Sequence, residues 1–217
     1  MSDKIIVFGD IHLCYQALNV ILEEADKLGI DFAINLGDED SIFGTRRGDE
    51  HDLIFGRLRD YRDLRSERRL ICVVGNETGG VKPYLLQNYV GVDERGRVIG
   101  DSIFREGNII AAHHGTGILQ RYGELIRGYN GPEPLVIFHG HSHSMGVLSE
   151  YKWLCSDEFV FHLEDGEQRH NLQCGKVYWV NPGRQIGFLR ANIGAANFAI
   201  YDSQNSEILL RTILYDN

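Results

Sequence analysis

The chain has 217 residues, 43% of them hydrophobic and 24% charged, with 25 glycines and 4 prolines. That ordinary apolar content, without any low-complexity tract, excludes disorder as the main state, and a chain this long buries about 70% of its unfolded surface without disulfide or metal staples. The 22 basic side chains against 31 acidic ones leave a net charge of −9, which repels long polyanions such as duplex DNA or RNA but admits a single phosphate ester.

From the N-terminus, Ile5 to Phe8 is a short apolar run ended by Gly9, the pattern of a buried strand. Leu18, Ile21, Leu22, Ala25 and Leu28 then recur at three- and four-residue spacing, one face of an amphipathic helix that Gly29 is placed to stop. Phe32 to Leu36 reads as a second buried strand, ended by Gly37. Strand, helix and strand at this spacing make a βαβ unit, which implies parallel pairing and a right-handed crossover. Ser41 to Arg69 is rich in charge, with Leu53, Ile54, Leu58 and Tyr61 as a weak helical stripe, and reads as one or two helices over one edge of the sheet. Leu70 to Val74, Ile109 to Ala112 and Leu135 to Phe138 are further buried strands. From Met145 the pattern turns to β, with Phe159 to Leu163, Val177 to Val180, Phe198 to Tyr201 and Ile208 to Leu214, and Asp165-Gly166 is a hairpin signal.

No internal repeat and no linker rich in Pro, Gly or Ser interrupts this pattern, so one α/β domain over residues 1–217 is expected. Cys14, Cys72, Cys155 and Cys174 contain no C-x-x-C spacing, which argues against a zinc ribbon or redox pair and suits small buried hydrophobes in a reducing compartment. The opening MSDKIIVFGD has no apolar leader, and no stretch approaches the roughly 18 apolar residues of a membrane span. A cytoplasmic protein with no membrane partner is the expectation; the sequence leaves the oligomeric state open.

Five of the strands end just before a polar cluster: Asp10 and His12, then Asp38, Asn76, His113 and His114, and finally His139, His141 and His143. In open α/β sheets ligands bind beyond the carboxyl ends of the strands, so these clusters are placed to form one site. Five of the nine histidines lie between positions 113 and 143, where uniform scatter predicts about one.

These residue types suit a pair of divalent metal ions. Asp10 and His12 alternate, which puts a hard oxygen and an imidazole on one side of an extended strand end. Asp38 has two carboxylate oxygens and can bridge ions about 3.5–4 Å apart, while Asn76 adds an oxygen ligand without adding charge. His141 and His143 alternate again. Mixed N and O ligation fits manganese, the first choice here, or iron, zinc, nickel or cobalt, better than calcium or thiolate-bound zinc.

The motifs Gly9-Asp10-Ile11-His12, Gly37-Asp38-Glu39-Asp40, Gly75-Asn76-Glu77, His113-His114-Gly115 and Gly140-His141-Ser142-His143 resemble, in order and in strand context, those of the calcineurin-like metallophosphoesterases. Asn181-Pro182-Gly183-Arg184 is similar to the N-P-G-S element of the small single-domain phosphodiesterase branch. The resemblance implies a four-layer α-β-β-α sandwich of two mixed sheets. It implies that Asp10, His12 and His143 hold one metal, that Asn76, His141 and a lone histidine hold the other, and that Asp38 bridges the two. His113 and His114 both fit the context of the lone histidine. In the implied reaction a hydroxide held between the metals attacks phosphorus, with Asp38, Asn76 and His113 or His114 as the catalytic surroundings, on a small phosphate-ester substrate.

One position departs from that pattern. Where the family's G-N-H motif carries a histidine that protonates the leaving group, this chain has Glu77. A carboxyl with an ordinary pKa near 4.3 is ionised at neutral pH and cannot donate, and loss of general-acid help costs about 10²–10⁴-fold, most severely for poor leaving groups. The small phosphodiesterase branch often lacks this histidine too, so phosphodiesters are favoured over alkyl monoesters. Two alternatives stay open: a non-catalytic, metal-binding interaction module of the same fold, and a phosphomonoesterase or nuclease acting on nucleotide ends.

Other residues have plainer readings. His139 reads as buried beside the site, His51, His162 and His170 as surface residues, and Glu39 and Asp40 as caps or ligand-orienting groups. Arg46 and Arg47, in the loop Gly44 to Gly48, and Arg184 could clamp a phosphate, but a solvated charge is the plainer reading for all three. Cys14 reads as a small packed residue, Gly79 and Gly80 as a close turn, and Tyr178 and Trp179 as strand packing.

Overall fold

A computed structural model describes residues 4–39, 48–63, 66–75, 89–95, 97–98, 102–142, 144–149, 165–187 and 193–216. The expected βαβ unit opens the chain. Strand β1 (Lys4–Phe8) leads into helix α1 (Tyr15–Lys27), and β2 (Phe32–Asn35) returns parallel to β1. The helix stops as the sequence suggests. Gly29 adopts φ +65°, so that its own N–H reaches the Asp26 carbonyl at 3.2 Å and the Ile30 N–H reaches Ala25 at 2.9 Å, a Schellman closure that glycine accommodates without a Cβ clash.

Among the described residues the charged segment holds helix α2 (Gly48–Asp63), and β3 (Arg69–Val73), β4 (Tyr89–Val90), β5 (Ile103–Glu106) and β6 (Ile109–Ala112) follow. Helix α3 (Gly115–Arg127) precedes β7 (Leu135–His139) and β8 (Gly146–Leu148). The chain then runs through β9 (Gly166–Asn171), β10 (Val177–Asn181), β11 (Ile193–Asp202) and β12 (Glu207–Asp216). Sequence periodicity misses α3, whose Ile118, Tyr122 and Ile126 stripe is diluted by Gly115, Gly117 and Gly123, and it misses β9, whose six residues are polar or glycine and mostly exposed. The strand expected at Phe159 to Leu163 lies outside the described residues. So does whatever precedes Asp165-Gly166; β9, which follows it, pairs with β12.

The strands form two mixed sheets, ordered β4-β3-β2-β1-β11-β12-β9 and β5-β6-β7-β10-β8. In the first, β1 through β4 run parallel and β11, β12 and β9 are antiparallel additions; in the second, β6, β7 and β10 are parallel. Side chains alternate across each strand, so every buried strand serves two layers. Ile5 and Val7 of β1 meet Val136 and Phe138 of β7 between the sheets, together with Ile34, Ala111, Val180 and Tyr201. Ile6 and Phe8 face the other way, onto Leu18, Ile21 and Leu22 of α1 and Ile54 and Leu58 of α2. On the far side, Ile110, Ile137 and Trp179 pack on Ile118 of α3. The layer order is therefore helix, sheet, sheet, helix: the expected four-layer α/β sandwich. Trp179 packs as expected, at 2% exposure. Among the described residues no helix is long and apolar enough to cross a membrane.

Phe138 is wholly buried between the sheets. Replacing it with alanine leaves a cavity that both sheets line, and about 3–5 kcal/mol of unfolding free energy is expected to be lost. Urea titration reads this as a lower midpoint at unchanged slope. A loss below about 1 kcal/mol would show that the sheets do not close on this ring.

Candidate metal centre

The parallel strands deliver the polar clusters to one edge of the sandwich. Asp10 lies two residues beyond β1 and Asp38 three beyond β2, His113 and His114 follow β6, and His141 lies two beyond β7. The loops are stitched together by their main chains. The Asp10 N–H reaches the Gly37 carbonyl at 2.9 Å, His12 reaches Asp38 at 2.9 Å, Leu13 reaches Glu39 at 3.0 Å, and Gly140 reaches His113 at 3.1 Å. To make these turns the chain enters the left-handed region at Asp10 (φ +49°), His12 (+44°), Leu13 (+62°), Asp38 (+59°) and His141 (+67°). Only one other non-glycine residue among those described does so, Ser206. Such conformations cost an L-residue roughly 1–2 kcal/mol each and collect where function over-determines the backbone. At Gly75 the position of a Cβ is already taken by the carboxylate and backbone nitrogen of Asp38, so no larger residue fits without moving Asp38.

Two groups of donor atoms result. Asp10, Asp38 and His113 offer ligand atoms within 4.8 Å of one another, and so do His113, His114 and His141. Both carboxylates are buried, Asp10 wholly so. Asp10 accepts the His141 backbone N–H at 3.1–3.2 Å. The rings of His114 and His141 lie 4.1 Å apart between centroids, and those of His113 and His114 4.8 Å apart, edge to face.

The adjacent histidines 113 and 114 occupy opposite electrostatic situations. His113 is buried between two acceptors, with Nδ1 2.9 Å from the Leu36 carbonyl and Nε2 3.0 Å from Asp38 Oδ2. A carbonyl can only accept, so Nδ1 carries a proton; an ionised Asp38 then calls for a second proton on Nε2. Burial pulls the His113 pKa down, but the Asp38 hydrogen bond and the charges of Asp10 and Asp38 outweigh it and push it up to about 9. At His114 burial also pulls down, the charge of His113 and that of His141 when protonated add to it against the pull of Asp38, and the pKa falls to about 4. His141 is lowered by burial and by His113. Both rings are therefore driven toward the neutral form, in which an imidazole nitrogen can serve as a metal ligand. Burial raises Asp10 to about 7 against the pull of His113, with the Asp38 charge adding to the rise.

Two buried carboxylates beside the charged His113, with the neutral rings of His114 and His141 grouped on that same histidine, offer the hard oxygens and borderline nitrogens that suit a divalent cation. Beside it, Glu39 is buried, takes hydrogen bonds on Oε1 from Tyr89 Oη and Asn35 Nδ2 at 2.6 Å each, and leaves Oε2 without a hydrogen-bond partner. Burial raises its pKa to about 7, although the Tyr89 hydrogen bond pulls the other way. Asn35 Oδ1 in turn accepts the Gly37 N–H at 3.1 Å, which ties Glu39 to the turn that carries Asp38.

The other sequence candidates divide. His12 belongs to neither donor group among the described residues. Asn76, Glu77 and His143 lie outside the described residues, as do Asp40, Arg46, Arg47, Gly79, Gly80, His162 and the side chain of His51. His139 is buried as expected, its ring 6.0 Å from Trp179 and its pKa lowered by burial to about 4. Cys14 packs as expected, its Sγ 2.8 Å from Tyr215 Oη. His170 departs from a plain surface reading: it is half-buried, and its Nε2 is shielded from water without a partner. Arg184 is not a solvated turn charge either. Its Nε is shielded and unpartnered, and burial lowers its pKa against the opposing charge of Asp10. Sequence reasoning missed the supporting amides Asn35, Gln185 and Asn197 and the phenol Tyr89; only the N-P-G turn hinted at any of them.

Comparison with solved structures places this fold beside a novel archaeal phosphodiesterase, with 18% sequence identity, a TM-score of 0.53, and coverage of 98% of this chain and 99% of that one. Yfce, a phosphoesterase from E. coli, aligns at 17% identity over 92% of this chain and 88% of its own, with a TM-score of 0.48. No protein-family model and no curated protein matches the sequence. At such identities the shared property is the fold: the two-sheet α/β sandwich of the archaeal phosphodiesterase.

Because Asp10 holds a proton up to about pH 7 in the metal-free protein, a cation must displace it. Manganese affinity is expected to fall about tenfold per pH unit below 7 through this carboxyl, and Asp10→Asn should remove that part of the slope along with most of the affinity. Calorimetry between pH 5.5 and 8, in buffers of different ionisation heat, counts the protons released. Affinity that does not vary across this range would exclude Asp10 from the cation's surroundings.

Proposed function

We propose that the chain is a divalent-metal-dependent phosphoric ester hydrolase, a single domain over residues 1–217 acting on small phosphodiesters. The observation that carries this reading is the convergence of Asp10, Asp38, His114 and His141 at the carboxyl ends of adjacent parallel strands, on the fold shared with the archaeal phosphodiesterase. The residues that would hold two metal ions are Asp10, His12 and His143 for one and Asn76, His114 and His141 for the other, with Asp38 between them. Metal ions so held would supply Lewis-acid charge toward the phosphoryl oxygens.

The protein's own residues do the rest. His114 is the better fit to the lone ligand, because its pKa of about 4 keeps the ring neutral at pH 7, whereas His113 sits between two acceptors and stays protonated. His113 is assigned to holding Asp38: its Nε2 fixes one carboxylate oxygen and its Nδ1 is anchored on Leu36. The left-handed turns at Asp10 and Asp38 aim both carboxylates into the same space, so little reorganisation remains when substrate arrives. Glu77 replaces the histidine that would protonate a leaving group. That is tolerable for esters whose leaving groups depart as stable anions and costly for alkyl monoesters.

The test compares an aryl phosphodiester with its matching monoester in the presence of manganese, with Asp38→Asn as the blank. Diester turnover is expected to exceed monoester turnover by at least about tenfold, and Asp38→Asn to abolish both while weakening metal binding. More than a tenth of the rate surviving in Asp38→Asn would sink the bridging role. Metal binding without turnover of either ester would sink the hydrolase.

A further inference from the structure

Arg184 stands in the turn Asn181-Pro182-Gly183-Arg184 that leaves β10, and its backbone is held from every side. Asn181 Oδ1 accepts the Gly183 N–H at 2.8 Å, and Asn197 Nδ2 donates to the Arg184 carbonyl at 2.6 Å. The next N–H, that of Gln185, reaches the Asp10 carbonyl at 3.2 Å, while the Gln185 side-chain amide donates to Gly9 at 3.1 Å and to Asn197 at 2.7 Å. Asn197 is itself fixed by the Thr212 hydroxyl at 2.7 Å. The main chain on both sides of the arginine is thus tied, through buried amides, to the strand end that carries Asp10. The side chain is the opposite case. Among the described residues nothing bonds to its guanidinium, and Nε is cut off from water with no partner. An arginine cannot shed its proton and offers five donors in a planar fork that matches two oxygens of a phosphate. A rigid backbone beneath a fork that bonds to none of the described residues is the arrangement for holding an anion, whereas a structural arginine spends its fork on the protein.

Resting on the phosphoesterase reading above, we propose that Arg184 is a specificity-determining residue that holds a phosphoryl oxygen of the substrate on the Asp10 side of the metal centre. The need for it is electrostatic. The chain carries a net charge of −9, so an anionic ester approaches against a repulsive background that a guanidinium beside the site offsets. Its position also orients the ester, since a fork anchored one residue from the Asp10-bound amide of Gln185 can grip only one side of the phosphorus.

The experiment measures inorganic phosphate binding to the manganese-loaded protein by calorimetry, for the wild type, Arg184→Ala and Arg184→Lys, with the manganese affinity and melting temperature of each. Arg184→Ala is expected to weaken phosphate binding about 10- to 100-fold and to raise the diester KM more than it lowers kcat, with manganese affinity unchanged. Arg184→Lys, which keeps the charge and loses the fork, should fall between. Phosphate affinity unchanged in the variants, or a wild type that binds no phosphate, overturns the assignment. So does a loss of manganese affinity as large as the loss of phosphate affinity, which would make Arg184 a structural support for Asp10. Should Arg184→Ala not fold, Arg184→Lys decides, and wild-type phosphate affinity in it overturns the proposal. Phosphate binding that depends on Arg184 in a protein that hydrolyses neither ester would leave the anion site standing and remove the hydrolase reading.

Discussion

Two carboxylates taken out of water at neighbouring strand ends are the constraint around which the rest of the molecule is organised. Asp10 is 0% and Asp38 1% exposed, and an ion buried without compensation costs several kcal/mol even after the protein relaxes. The compensation is visible atom by atom. Asp38 faces the Nε2 of His113, Asp10 takes the N–H of His141, and both carboxylates sit within reach of imidazoles. What these contacts leave uncompensated appears as the rise of the Asp10 pKa to about 7, and that residue of unfavourable energy is what a cation held there would recover.

Holding such a site requires strand ends that do not move, and the sandwich supplies them. β1 and β2 are buried on both faces, pressed between the inter-sheet core and the helical layer of α1 and α2. On these strand ends the left-handed turns at Asp10 and Asp38 are held by main-chain bonds between the two loops, Asp10 to Gly37 and His12 to Asp38. The antiparallel strand β11, hydrogen-bonded along β1, has a second use. Asn197 within it grips the turn after β10, so the second sheet is fastened to the end of the first beside the site.

Environment, not residue type, separates His113 from its neighbour. One imidazole sits between a carbonyl and a carboxylate and stays charged at neutral pH; the next faces two other histidines and stays neutral. The same rule separates Arg184 from an ordinary turn arginine. A stretch of sequence in which both neighbours look interchangeable becomes two distinct tools once each is set against a different surface.

The sequence by itself determined the strands whose faces are both buried, because continuous apolar runs ended by glycine have few other uses: β1, β2, β6 and β7 begin or end within a residue of their expected bounds. It also pointed to the strand ends at Asp10, Asp38, His113, His114 and His141, which the fold brings together, since their order along the chain follows the order of strand ends. It missed α3, where glycines dilute the stripe, and β9, where a polar edge strand takes its place only from hydrogen bonds to β12. The tertiary structure alone decided how each site residue is charged and held. The contact from His113 to the Leu36 carbonyl spans 77 positions and that from Gln185 to Gly9 spans 176. Contacts over such separations exist only after the two sheets close, so neither the charge on His113 nor the open fork of Arg184 could be read from neighbours in the chain.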